Sequence, residues 1–566
     1  TNNGNVGVGF KALYNNTIGD ANTANGRQAL YSNIDGYWNT ANGFNALFFN
    51  STGFSNTANG FQALNKNTEG DHNTANGAQA LFFNEGSYNT ANGSFALRSN
   101  TTGDKNTANG YHALYSNELG SFNTATGTET LYTNTGDYNT ATGFQALKFN
   151  GLGNSNTANG VFALYNNLTG NFNTANGANA LSFNTDGSVN TANGAFALAL
   201  NTTGSSNTAN GNSALYSNDT GNFNTATGNQ ALSSNSEGDD NTANGFEALN
   251  FNTGSNNTAS GSQALYSNTT GENNTASGTQ ALYSNTFGNR NTAIGRSALY
   301  VNESGNHNTA IGFEALFNNT EGDYNTATGE RSLKRNITGN DNTSNGYYAL
   351  FYNETGSENT ANGRSALIFN TSGSENTASG FEALRSNNGG IRNTASGYQA
   401  LYSNASGNYN TATGYKALYN SSTGHWNTAI GRQALYNLTA GTNNIGIGYN
   451  AQPSTATTSN EVTIGNSSNN VYRMYASSWT NASDRQLKHG IQNIPVGLDL
   501  VLKLRPVQFI YNNANNNQKT FGFIAQDVKQ AVKQSNLEDN ILVSPLNEKY
   551  LGLRTTELIS VLTKAI

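Results

Sequence analysis

Cysteine is absent from the sequence, which excludes both a disulfide scaffold and a thiolate metal site. No run of about 20 apolar residues occurs, so no segment is suited to crossing a membrane as a helix. Charge is scarce too. Asp, Glu, Lys and Arg make up 11% of the 566 residues and the net charge is −7, which gives no electrostatic footprint for nucleic acid. Proline occurs four times, at Pro453, Pro495, Pro506 and Pro545, and methionine once, at Met474. Yet the chain does not read as disordered, because disordered segments lack aromatics and carry high net charge, whereas 10% of these residues are aromatic. Asparagine and glycine dominate instead, with 103 and 63 residues, far above ordinary usage. The chain opens at Thr1 without Met or a signal peptide and stops inside an apparent helix at Ile566. It therefore reads as a processed or partial product whose targeting signal falls outside it.

The excess of Asn and Gly is periodic. A 17-residue unit, Asn-Thr-Ala-x-Gly-x-x-Ala-Leu-x-x-Asn-x-x-Gly-x-x, begins at Asn5, Asn22 and Asn39 and runs on to Asn427 and Asn444, 27 copies in all. The fifth-column Gly is present in every copy, from Gly9 to Gly448, and the ninth-column Leu in all 26 complete copies. The copies starting at Asn73, Asn123 and Asn241 are one residue short, each between the twelfth-column Asn and the next Gly. Length variation marks a surface turn there. A second turn is expected at the fifth-column Gly, where positive φ suits glycine.

Between the turns there is room for two short strands, roughly Asn-Thr-Ala and x-Ala-Leu-Tyr-x, and no helical period. The expected fold is all-β: a β-solenoid or β-roll whose coils stack at about 4.8 Å, which over 26 steps makes a rod of about 125 Å. Asn in the first and twelfth columns can form amide ladders from coil to coil. For the twelfth column, a simple preference for Asn in turns explains the pattern almost as well. The eighth-column Ala, present in 24 of 26 copies, adjoins the Leu, and neighbours in a strand face opposite ways. Both faces then need cover, so a homotrimer is expected; a monomeric solenoid with Ala filling a tight bend is the alternative.

The copies resemble the head repeats of trimeric autotransporter adhesins, through Asn-Thr-Ala-Ile-Gly at Asn291, Asn308 and Asn427 and the end copies at Asn5 and Asn444. The period here is longer than those heads usually show. Composition then changes: all four prolines follow the repeat, and residues 484–566 carry ten Lys/Arg against seven Asp/Glu. This divides the chain into a shaft (1–451), a neck (452–483), where Val462-Thr463-Ile464-Gly465 echoes one more coil, and a small α+β domain (484–566).

From Ser483 the sequence resembles the endosialidase-type intramolecular chaperone of phage tailspikes and fibres. The matching stretches are Ser483-Asp484-Arg485-Gln486-Leu487-Lys488, Gly497-Leu498, Leu504-Arg505-Pro506-Val507, Gly522-Phe523-Ile524-Ala525-Gln526-Asp527-Val528, Tyr550 and Thr556-Glu557-Leu558-Ile559. The resemblance implies a trimeric helper that assembles the fibre and then cuts itself off between Ser483 and Asp484. Lys488 is the matching position for the base of a Ser–Lys dyad, and the chemistry is sound, since a desolvated Lys can deprotonate a Ser nucleophile. The family's terminal helices normally continue as a trimeric coiled coil beyond the point where this sequence stops. Identical coils pair equally well in many registers, so a C-terminal clamp that sets register has a physical purpose.

The repeat has no insertion that could host a catalytic domain, and no cofactor or metal is expected. Carboxylates such as Glu69, Asp71, Asp239 and Asp240 sit in turns at no evident spacing, and His72, His112, His307, His425 and His489 are scattered. Aromatic residues often fill the tenth column, as at Tyr31, Phe48, Tyr266, Tyr283 and Tyr300, suited to packing between chains or to stacking on sugars. Eleven twelfth-column Asn lie in Asn-x-Ser/Thr sequons, among them Asn50, Asn100, Asn201, Asn268, Asn336 and Asn353. An inward ladder and glycosylation exclude each other at one site. The reading is an extracellular, cell-surface or virion fibre for attachment, with a glycan or protein receptor. The alternatives are a release protease and a monomeric solenoid binding glycan, or ice through its Thr column.

Overall fold

The computed structural model describes residues 4–468, 491–510, 519–538, 542–545 and 551–566. They fall in two compact units, Thr1–Thr338 and Gly339–Ile566, each described by itself. In both, one repeat makes one coil of a parallel β-solenoid. Its strand is Thr-Ala-x, as in Thr23–Asn25 and Thr40–Asn42, and these pair in register, Thr23 with Thr40, Ala24 with Ala41, Asn25 with Asn42. In the second unit Thr360–Asn362 pairs likewise with Thr377–Ser379, and Ile445–Ile447 with Val462–Ile464, so the echo beyond residue 451 is a strand of the stack.

Both expected turns are present. The fifth-column glycines, Gly9 to Gly448, have φ between +113° and +144°. A Cβ on Gly60 would lie 2.5 Å from the Gly77 carbonyl oxygen of the next coil, so conformation and space both demand glycine. The short coils lose their residue in the other turn without loss of pairing: Thr74 still meets Thr90 and Ala75 meets Ala91.

The segment x-Ala-Leu-Tyr is not a strand. Its seventh- and ninth-column residues are left-handed, Gln62 at φ +54° and Leu64 at φ +49°, and the pattern repeats along the stack. Alternation between two faces holds only for extended backbone. With a left-handed residue on either side of Ala63, Ala63 and Leu64 both turn inward, and both are wholly buried by one chain. The backbone still bonds coil to coil, Gln62 N–H to the Phe44 carbonyl on one side and Leu64 N–H to the Ala80 carbonyl on the other. The premise that a single chain leaves its Leu or its Ala row uncovered is therefore corrected. The second strand falls later, is two residues long, and forms in some coils only, such as Ser99–Asn100 and Ser116–Asn117.

Each coil's interior holds the third- and eighth-column Ala, the ninth-column Leu and both Asn columns. Where Ala is replaced, the hydroxyl finds a partner: Thr130 Oγ1 donates to the Gly143 carbonyl at 2.6 Å, and Ser344 Oγ to the Ala349 carbonyl at 2.9 Å.

The described residues of 491–566 are α+β. Helices α1 (Leu498–Val501), α2 (Ala525–Gln534) and α3 (Thr555–Ala565) accompany two antiparallel pairs, Val507–Phe509 with Thr520–Gly522 and Val543–Pro545 with Leu551–Leu553. Leu500, Val528, Val532, Leu542, Leu558 and Val561 form the core.

Candidate functional site: ladders, faces and the C-terminal segment

The two Asn columns build different ladders, and both are buried. In the first column the Asn22 Oδ1 accepts the Asn39 backbone N–H at 2.9 Å, while Asn39 Nδ2 donates to the Gly53 carbonyl at 2.8 Å. In the twelfth, Asn50 Nδ2 donates both to Asn33 Oδ1 at 2.7 Å and to the Gly53 carbonyl at 2.9 Å. All four oxygen and amide functions are thereby used inside the coil, where an unpaired polar group is costly.

The Asn residues of the sequons belong to this ladder. Asn50, Asn100, Asn201, Asn268, Asn336 and Asn353 are fully buried. Asn100 and Asn201 each donate to Asn84 and Asn184 Oδ1, and Asn268 and Asn336 to Asn252 and Asn319 Oδ1. Asn353 donates to the Gly356 carbonyl. In the folded coil the amide nitrogens at these six positions are buried and engaged in hydrogen bonds. The twelfth-column ladder breaks at Ser421, whose Oγ has no partner, as does the Oδ1 of Asn404.

The carboxylates are more regular than the sequence reading held. Asp71, Asp104, Asp137 and Asp239 occupy one column, the sixteenth, shared with Ser and Asn. Each oxygen there accepts the backbone N–H of the same column one coil earlier: Phe54 N–H to Asp71 at 2.8 Å, Ser87 N–H to Asp104 at 2.7 Å. Ser87 and Ser121 hydroxyls serve in the same way. The signal was a column restricted largely to Asp, Asn and Ser, and its chemistry is acceptance of a hydrogen bond, with no paired acid and base.

The tenth-column rings stack on one another within the chain. Tyr266, Tyr283, Tyr300 and Phe317 follow at centroid distances of 5.1, 5.0 and 4.9 Å, nearly parallel. Neighbouring rings cover both faces of Tyr283 and Tyr300, so a sugar cannot stack there. Burial, and then the hydroxyls of Tyr300 and Tyr266, push the Tyr283 phenol above its usual range. His72 stacks on Tyr88 and His307 on Tyr324, at 4.9 and 4.8 Å. Burial is the main reason that His112 titrates below the usual imidazole range. Among the described residues no group of three or more His, Asp and Glu could hold a metal ion, and no helix is long and apolar enough to cross a membrane.

Outward side chains lie in three runs around each coil: the second and fourth columns of the strand, the sixth to eleventh columns apart from the buried eighth and ninth, and the thirteenth to seventeenth. On the first, Thr alternates along the chain with Asn, Ser, Thr or Ile, and exposed amides bond upward, Asn59 Nδ2 to Asn76 Oδ1 at 2.8 Å.

Ser483, Asp484, Lys488, His489 and Tyr550 lie outside the described residues. The stretches that carried the chaperone resemblance share the core at Val528 and Leu558, and Arg505 Nη2 is 2.8 Å from Asp527 Oδ2, an exposed ion pair. Gly497 lies where a Cβ would be 3.0 Å from the Lys564 carbonyl oxygen, so α3 passes too close for a side chain. Phe521, Ile559 and Leu562 are exposed.

These features define the class: parallel β-solenoid coils, about 27 in the two units together, with an α+β segment after them in the second. The family model described as chaperone of endosialidase matches residues 483–537. No curated protein matches the chain, and no solved structure does.

Proposed function

We propose that the chain is a fibre, displayed on a cell surface or virion for attachment, whose solenoid shaft is assembled as a homotrimer by its C-terminal segment. The observation that carries this reading is the chaperone-of-endosialidase match at 483–537, set behind coils whose strands pair identical column to identical column. Such a stack has many equivalent registers, and a clamp that joins three chains at one end removes the ambiguity. In this reading the helper then leaves. Neutral Lys488 takes the proton of the Ser483 hydroxyl, the Ser483 oxygen attacks the carbonyl of the Ser483–Asp484 peptide bond, Lys488 passes the proton to the departing Asp484 nitrogen, and one water then hydrolyses the ester, leaving a carboxylate on Ser483 and an amino group on Asp484. The receptor is a glycan or protein at a cell surface. Expression of the wild-type chain should yield a fragment corresponding to residues 484–566 on a denaturing gel, and Ser483→Ala and Lys488→Ala should stay whole. An intact wild-type chain would defeat the cleavage step; a single-chain mass in native mass spectrometry would defeat the trimer.

One observation favours a second reading, a monomeric solenoid binding an ordered lattice such as ice. The Ala and Leu rows are covered within one chain, and Thr23, Thr40 and Thr57 line up on the strand run. Thermal hysteresis from a single-chain species would support it.

A further inference from the structure

Charge on the shaft is sorted by side. Of the 16 Lys and Arg between residues 4 and 468, 13 fall in columns six to eleven; of the 27 Asp and Glu, 21 fall in columns thirteen to seventeen. The strand run carries neither. In the first nine coils the basic run holds Lys11, Arg27, Lys66, Arg98 and Lys148 against one acid, Glu129. The other run holds eight acids, including Asp35, Glu69, Glu85 and Glu118, against Lys105. The cations are held along their side by the chain's own rings, Lys66 3.8 Å from the Phe49 centroid and Arg98 5.4 Å from those of Phe82 and Phe83.

Since the coil closes its own core, any partner copy must meet it through an outward run. In a threefold ring each chain touches its two neighbours with two different surfaces, a heterologous contact that closes on itself. Like against like would set basic run on basic run or acid on acid, and like charges face to face are repulsive.

We propose that the basic run of one chain, columns six to eleven, docks on the acidic run of a second copy, columns thirteen to seventeen, with the strand run on neither interface. The proposal rests on the trimer reading and adds the surfaces to it. It also supplies what the uniform skeleton lacks. Ala, Leu and Asn are the same in every coil, but charges are not, so ion pairs across chains differ from coil to coil and mark the register. Lys11 and Asp20 belong to the first coil, Arg27 and Asp35 to the second, Lys66 and Glu69 to the fourth.

The test uses the full chain, made as an equal mixture of isotopically light and heavy protein and treated with a zero-length carbodiimide that joins amines to carboxylates. Mixed-isotope crosslinks from Lys11 or Lys66 to acids of columns thirteen to seventeen are expected. The variant Arg27→Glu/Lys66→Glu/Arg98→Glu should slow trimer formation about tenfold or more, with the wild-type rate falling as salt rises. Adding Asp35→Lys/Glu69→Lys/Glu118→Lys to the same chain should restore it, which guards against a variant that fails only to fold. A single-chain mass overturns this proposal together with the trimer. A trimer without mixed-isotope links to the acidic run, unaffected by reversal, overturns the surfaces alone. A trimer in which reversal abolishes only capture of a sulfated polysaccharide overturns them too and makes the basic run a polyanion site.

Discussion

At the scale of single residues, stability resides in groups that satisfy one another across coils. Asn67 shows the logic: its Nδ2 donates to Asn50 Oδ1 at 3.0 Å and to the Gly70 carbonyl at 2.8 Å, and its Oδ1 accepts from Asn84 at 2.9 Å. Asn67→Ala leaves buried partners unpaired and should cost about 3 kcal/mol, read as a lower denaturation midpoint. Asn67→Asp should cost more at neutral pH than in acid, because a buried carboxylate loses both donors and protonation returns one. A second pH effect sits on the surface. Hydrogen bonds from Lys148, at 2.8 Å, and then Gln145 hold the Glu129 carboxyl below its usual range. A depressed folded value means stabilisation that is complete above the unfolded value and lost as pH falls through the folded one. Below about pH 4.5 the wild type should therefore lose an increment of stability that Glu129→Gln lacks, measured by urea melts across the acid range. The increment is small, as for other solvent-accessible pairs.

At the scale of the coil, the fifth-column glycine is the most constrained position. Gly60→Ala combines φ +139° with a Cβ 2.5 Å from backbone that cannot step aside. It should cost at least about 3 kcal/mol and open the coil to protease locally. Ser206, at φ +61° in the seventeenth column, offers the converse: Ser206→Gly relieves the left-handed backbone and should add about 0.5 to 1 kcal/mol of stability, read as a slightly higher melting midpoint. The two turns, the strand at Thr-Ala, the parallel stack and the Asn ladders were all legible, because invariant Gly, a movable gap and recurrent Asn each have one physical cause. The conformation of x-Ala-Leu-Tyr was not. Leucine disfavours positive φ, so nothing in Leu64 announces +49°; only the stacking of like coils pulls it there. The left-handed backbone turns Ala63 and Leu64 to the same side, and the case for a partner that an extended strand would make falls with it. The chaperone motif was legible by its order of short stretches, while Ser483 and Lys488 fall outside the described residues.

At the scale of the whole molecule, each coil offers its successor the same surface that it received, so stability should behave as a sum over neighbours. Deleting residues 157–173, one full copy, brings Asn156 up to Thr174 and preserves every column. The shortened chain should keep its circular dichroism spectrum and lose only a small increment of melting temperature. Deleting residues 157–164 should abolish the cooperative melt, since it removes the strand, the turn at Gly160 and the buried Ala163 and Leu164, and the nine residues left cannot close a coil. The sixteen-residue coils extend the point. From Asn73 to Asn89 the first-column bond is intact, Asn89 N–H to Asn73 Oδ1 at 2.9 Å, although one residue is gone from the bend after Asn84. For the gene, whole-copy gain and loss by recombination is close to silent, whereas the loss of one codon is forgiven mainly in that bend. Length is then the trait most readily changed by inheritance, and the cross-section the one most resistant to it.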